Sequence, residues 1–184
     1  MPSWLNPFDI LIAFSVLVGT ALGFVRGLVR MLLTLAVLYV AAVLGLTLHR
    51  PLSNWIIYIF GMPASISLGL AFLLIVALAS VIMNFVLRHT YKDTELPGIR
   101  QIDQLGGMVV GFLVACVWVG FFILVLAFFL TAPDTQLTGF QQNLLDYFRR
   151  SALVPIFYDF LGIALATLRP WMPKGLPPAL FRIP

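Results

Sequence analysis

The 184-residue chain has little charge, two histidines and one cysteine, and each shortage removes a class of function. Charged residues make up 10% of it against 61% hydrophobic residues, with a mean hydropathy of +1.05. A water-soluble globule carries about 25% charged residues, so this chain lacks the polar surface for water and reads as an all-α membrane protein. Cys116 alone excludes an intramolecular disulfide and a cysteine-based metal site; inside an apolar run it reads as a small packing residue. His49 and His89 fall at opposite membrane edges and cannot easily share a site. No Gly-x-Ser-x-Gly elbow surrounds a serine, and Asp9, Asp93, Glu95 and Asp103 have no recognised ligand spacing. No catalytic residue, metal or cofactor is therefore expected, and the chain does not read as an enzyme. The net charge of +4 comes without a basic stripe and interleaved aromatics, so nucleic acid is not an expected partner. Met1 to Phe8 holds no Lys or Arg and no small-x-small cleavage site precedes a soluble domain, so the first apolar run is expected to be retained.

What the chain does have is long apolar runs, at about 8–25, 31–48, 66–87 and 105–130. Each is long enough to cross a hydrocarbon core of about 30 Å at 1.5 Å per residue. They predict a four-helix transmembrane domain over residues 1–132. Only Arg26, Gly27, Leu28, Val29 and Arg30 separate the first two runs. A hairpin turning near Gly27 is favoured over one kinked helix from 8 to 48, which would run about 60 Å. His49 to Ala64, with two prolines, Trp55 and Tyr58, has the composition of an interfacial connection, and Arg88 to Asp103 that of a solvated, charge-rich loop. Beyond Pro133, Leu137, Phe140, Leu144, Leu145 and Phe148 recur at spacings of three and four, predicting a surface-lying amphipathic helix. Ser151 to Leu168, interrupted by Pro155 and Asp159, is either a second interfacial helix or a re-entrant segment packed on the bundle. Residues 133–168 thus form an amphipathic or interfacial helical segment, and 169–184 a proline-rich tail.

The segment from Gly19 to Gly27 carries the most information. Glycines four apart share a helix face and let another backbone approach closely, while an arginine at the bilayer centre costs about 2.5 to 3.5 kcal/mol. Gly19 and Gly23 therefore predict a packing face, and Arg26 an interfacial position. A degenerate copy follows at Gly107 to Ala115, with Gly107 and Gly111 four apart, and Gly106 just before it. Asp103 reads as a helix-start residue favoured by the helix dipole; the sharper reading is an Arg26 to Asp103 pair joining the first and fourth helices. Ser80 and Asn84, one turn apart in the third run, are candidates for polar interhelical contacts.

Five basic residues, Arg26, Arg30, Arg88, Lys92 and Arg100, lie on one face of a four-span topology against Arg50 on the other. The positive-inside rule then puts these connections in the cytoplasm and both termini outside.

With Asp9 before the first span and Gly19-x-x-x-Gly23-x-x-Arg26-Gly27 within it, then Asp103-x-x-Gly106 leading to Gly111, then Ser151-x-Leu153-Val154-Pro155, the chain resembles the colicin V production protein family. The resemblance covers most of the chain. It implies a small multi-pass protein of the bacterial inner membrane, tied in the founding member to production or export of a peptide toxin, with no established molecular activity. Family members often follow the second glycine motif with Arg-Gly, where this chain has Val114 and Ala115. Some relatives place this domain before an extracytoplasmic serine protease, in agreement with an outside C-terminus. The expected role is an accessory or scaffold protein in toxin export and envelope maintenance, the alternative a small oligomeric transporter or channel. Its expected partners are the lipid bilayer and a second copy or another membrane protein.

Overall fold

Asn6-Pro7-Phe8-Asp9 is a helix start in miniature. The Phe8 N–H donates to Asn6 Oδ1 at 3.0 Å, and Pro7 takes a first-turn position where its missing N–H costs nothing. From there the computed structural model, which describes residues 6–90, 100–130 and 139–167, is helical almost throughout. Its helices are α1 (Pro7–Arg26), α2 (Leu28–Phe60), α3 (Ala64–Thr90), α4 (Arg100–Leu130), α5 (Gly139–Arg149) and α6 (Leu153–Ala166). The first four are long and apolar enough to cross a membrane. The chain is an all-α, multi-pass membrane protein.

Gly27 divides α1 from α2. Its φ of 81° with ψ of 166° lies where residues with a Cβ rarely go, so the chain can break there without a longer loop. The register of contacts gives the helix directions. Gly19 faces Ala115 while Gly27 faces Asp103, so α1 and α4 are antiparallel. Gly45 faces Phe72 and Val76 while Thr34 reaches Asn84, so α2 and α3 are antiparallel too. Leu28 meets Gly106 and Leu38 lies near Val117, which makes α2 parallel to α4. Helices α1 and α2 therefore run in opposite directions. They touch little, however: α1 packs chiefly on α4 and α2 on α3.

Two boundaries depart from expectation. The stretch from His49 to Phe60 continues α2 instead of forming an irregular connection, with Pro51 inside the helix. By Pro51 the helix has risen about 35 Å from Leu28, beyond a hydrocarbon core of about 30 Å. The Thr47 carbonyl that Pro51 leaves without a donor can therefore find water. The exposed Trp55 and Tyr58 suit that headgroup level. The charged loop is shorter at both ends, since α3 runs to Thr90 and α4 starts at Arg100, which puts Asp103 inside the first turn of α4 and not ahead of it. Within the amphipathic segment, Gly139–Arg149 is helical. Lys92, Asp93, Glu95, Pro133, Leu137 and the tail 169–184 lie outside the described residues.

Helix α6 is not laid flat across the others. Its Leu161 packs on Gly120, and its last turn reaches Tyr39, whose hydroxyl donates to the Thr167 carbonyl at 3.2 Å. It runs antiparallel to α4 for about 21 Å by helix rise, shorter than a full crossing. Pro155 falls in its first turn, where no intrahelical donor is lost.

The side chains sort as lipid would sort them. Phe14, Leu17, Leu78, Val81 and Phe85 are among the exposed large hydrophobics, whereas small or tightly packed residues such as Ala41, Ala71 and Val76 are fully buried. An apolar exterior of this extent is tolerated in a bilayer and not in water.

Candidate functional site

The α1–α4 crossing is made by backbone. A Cβ built on Gly23 would lie 2.7 Å from the Gly111 Cα and would collide with the Gly107 carbonyl oxygen; one on Gly111 would lie 2.6 Å from the Gly23 Cα. On Gly107 a Cβ would come within 2.5 Å of the Gly23 carbonyl oxygen, and one on Gly19 would collide with the Ala115 Cβ. The structure thus brings Gly19, Gly23, Gly107 and Gly111 into one seam. Gly106 stands beside it and receives Leu28 of α2. Helices that approach this closely gain dispersion contacts, which in lipid must do what the hydrophobic effect does in water.

Each end of the seam is closed by a carboxylate. At the Gly27 end, Asp103 Oδ1 accepts the Leu28 N–H at 2.9 Å and so caps α2, whose first N–H groups have no partner within the helix. The carboxylate reaches there because Gly27 has no side chain; a Cβ at that position would strike Asp103 Oδ2. Arg26, exposed at the last turn of α1, sits one residue before this cap.

At the opposite end, Asp9 caps α6. The Ser151 hydroxyl donates to Asp9 Oδ1, the Leu153 N–H donates to the same oxygen at 3.1 Å, and the Ala152 N–H donates to Oδ2 at 3.3 Å. Ser151 Oγ in turn accepts the Val154 N–H at 3.2 Å. Two side chains therefore take the free donors of the first turn, and the negative charge lies at the positive end of the α6 dipole. Asn6 adds a second tie, its Nδ2 donating to the Tyr147 carbonyl at 2.6 Å, while Phe8 and Phe148 meet edge to face. The sequence reading missed Asn6, although Asn-Pro ahead of an apolar run signals a helix start.

A third feature lies between α1 and α3, which barely touch. A groove of about 590 Å³ opens there, floored by α4 and by part of α2. Ser15, Thr34, Ser80 and Asn84 supply its polar lining within apolar walls, and Arg26 stands at one end. Thr34 Oγ1 donates to Asn84 Oδ1 at 3.5 Å, and Asn84 Nδ2 donates to the Ser80 carbonyl at 2.8 Å. Asn84 thus faces Thr34 of α2 across the groove wall, although the Thr34 hydroxyl also donates within α2 to the Arg30 carbonyl at 2.8 Å, and the Ser80 hydroxyl makes no bond to α2. No group of three or more His, Cys, Asp or Glu side chains occurs among the described residues.

The sequence profile of the family described as Colicin V production protein matches residues 8–162, which includes α1 through most of α6. No curated protein and no solved structure matches the chain.

Proposed function

We propose a scaffold role for this chain, which belongs to the colicin V production protein family. It acts as an accessory protein of the cytoplasmic membrane, holding other membrane components together in toxin export or envelope maintenance and carrying out no chemical step itself. The observation that supports this reading is the use of the motif carboxylates: Asp9 and Asp103 accept main-chain N–H groups of other helices. Carboxylates committed to holding helix ends are poor general bases or metal ligands. The basic Gly27 end faces the cytoplasm by the positive-inside rule, and the Asn6 end, with α5 and the start of α6, faces outward and offers contact surface.

The test is crosslinking and copurification from native membranes, set beside flux assays on the purified protein in liposomes. A stoichiometric membrane partner without flux supports the scaffold. Substrate-dependent flux that Asn84→Leu abolishes overturns it in favour of a small oligomeric transporter or channel, the reading to which the polar lining at Thr34, Ser80 and Asn84 lends support.

A further inference from the structure

The groove between α1 and α3 has a definite length and a definite polarity. Along α1 it extends from Ser15 to Arg26, about 16 Å by helix rise, which is the depth of one leaflet in a core of about 30 Å. Its walls are apolar, formed by Val18 and Leu22 on one side and Val81 and Phe85 on the other, all of them exposed. Its volume falls within the range of about 300 to 1,000 Å³ usual for small-molecule sites.

Charge is found at one end only. Arg26 lines that end, and Arg30 lies one turn from Thr34, another lining residue, and so on the same face of α2. A guanidinium has five N–H donors, so Arg26 can bind an anion while keeping a protein partner. Deeper in, Ser80 is 5% exposed and its hydroxyl has no hydrogen-bond partner among the described residues. Ser53 and Ser67 share that condition but do not line the groove. Asn84 has a second amide N–H beyond the one given to the Ser80 carbonyl. The groove therefore offers cations at its mouth, neutral donors below them and an apolar slot beyond.

We propose that this groove holds one chain of an anionic phospholipid from the leaflet at the Gly27 end. The phosphate meets Arg26 and Arg30, an ester carbonyl accepts from Asn84, and the acyl chain fills the slot between α1 and α3. A transmembrane helix is the poorer occupant. An apolar helix would bring no anion to the arginines.

Native mass spectrometry of the full chain, with phosphatidylglycerol and phosphatidylcholine of identical acyl chains as probes, tests this. Phosphatidylglycerol should bind about fivefold more tightly, the effect of about 1 kcal/mol for one arginine near an anionic surface. Arg26→Gln should lower the preference, Arg26→Gln combined with Arg30→Gln should remove it, and Arg26→Lys should keep it. Val81→Trp, which narrows the slot without touching the arginines, should weaken both lipids alike. A photoreactive group on the phosphatidylglycerol chain should label residues 18–22 and 81–85. Equal binding of the two lipids by the unaltered chain overturns the proposal, as does labelling spread evenly over the outer faces of α1 to α4. Displacement by glycerol phosphate would mean a headgroup site without a chain slot, and efficient disulfide dimers of a Val81→Cys variant would seat a second copy in the groove; either result overturns it.

Discussion

Asp9 and Asp103 stand at opposite ends of the same helix pair and do the same job with different strength. Each leaves the first turn of its own helix and caps another: Asp9 caps α6, and Asp103 caps α2. Asp9 takes three donors, two of them N–H groups and one the Ser151 hydroxyl. Asp103 shows one, from Leu28, and reaches it through a space that only a glycine at position 27 leaves open. One tie is built from side-chain valence and the other from backbone shape. Loss of a donor should therefore hurt the Asp9 end, and loss of a glycine the Asp103 end.

The sharpest break separates the two ends at once. Gly23→Leu places a side chain where the Gly107 carbonyl and the Gly111 Cα now lie, and backbone on both helices must give way. We expect a loss of about 3 kcal/mol or more, the upper range for overpacking, because no flexible side chain can yield. Cys116, 4% exposed on α4, reports it directly, since its thiol becomes reactive to a maleimide dye as the bundle opens on heating. Dye labelling at an unchanged temperature would show that α1 and α4 are not held by this seam. Next comes Gly27→Ala, expected to cost about 2 to 3 kcal/mol: a backbone region nearly restricted to glycine costs about 1 to 3 kcal/mol, and the Asp103 cap is displaced as well. The same melt should show this loss, and Asp103→Ala should fall well short of it.

At the other end, Asp9→Ala should cost about 2 kcal/mol and Ser151→Ala about 1 kcal/mol, the usual range for lost caps and for bonds to a charged acceptor. The damage is expected to stay local. Helices α5 and α6 should become open to protease while Cys116 stays protected, because α1 still lies in the glycine seam. Simultaneous cleavage and labelling in Asp9→Ala would mean that α6 is integral to the four-helix core, as its packing of Leu161 on Gly120 allows.

This contrast was unevenly legible in the sequence. The four apolar runs and the break near Gly27 follow from hydropathy and from a glycine beside an arginine, and the spacing of Gly19, Gly23, Gly107 and Gly111 pointed to a close backbone approach. The ends were harder to read. Pro51, Trp55 and Tyr58 suggested a connection, yet proline is tolerated in α2 because the helix has by then passed the depth where an unpaired carbonyl is costly. Residues 88–103 are charged enough to be called loop, but α3 and α4 both extend into that stretch. Asp9 and Ser151 are 142 residues apart, and no local pattern says that one will cap the helix beginning after the other. Asp103 carried a visible signal, a carboxylate at a helix start, but its own dipole was the apparent beneficiary, whereas the bond goes to α2.

The smallest expected effect separates two uses of that same carboxylate. If the Leu28 N–H is what Asp103 serves, Asp103→Asn keeps an acceptor oxygen in place and forfeits only charge, a loss of about 0.5 to 1 kcal/mol at a helix N-terminus. If an Arg26 to Asp103 charge pair is the main tie, the asparagine variant should be nearly as damaged as Asp103→Arg, and the double reversal Arg26→Asp with Asp103→Arg should recover what either single change loses. The cap predicts no such recovery, since an arginine at 103 has no acceptor for the Leu28 N–H whatever the charge at position 26. Melting temperatures of the unaltered chain, the two single reversals and the double reversal, read through Cys116, form a double-mutant cycle with Asp103→Asn as the outside reference. A coupling energy near zero with a mild asparagine variant assigns Asp103 to the backbone of α2; a large favourable coupling assigns it to Arg26.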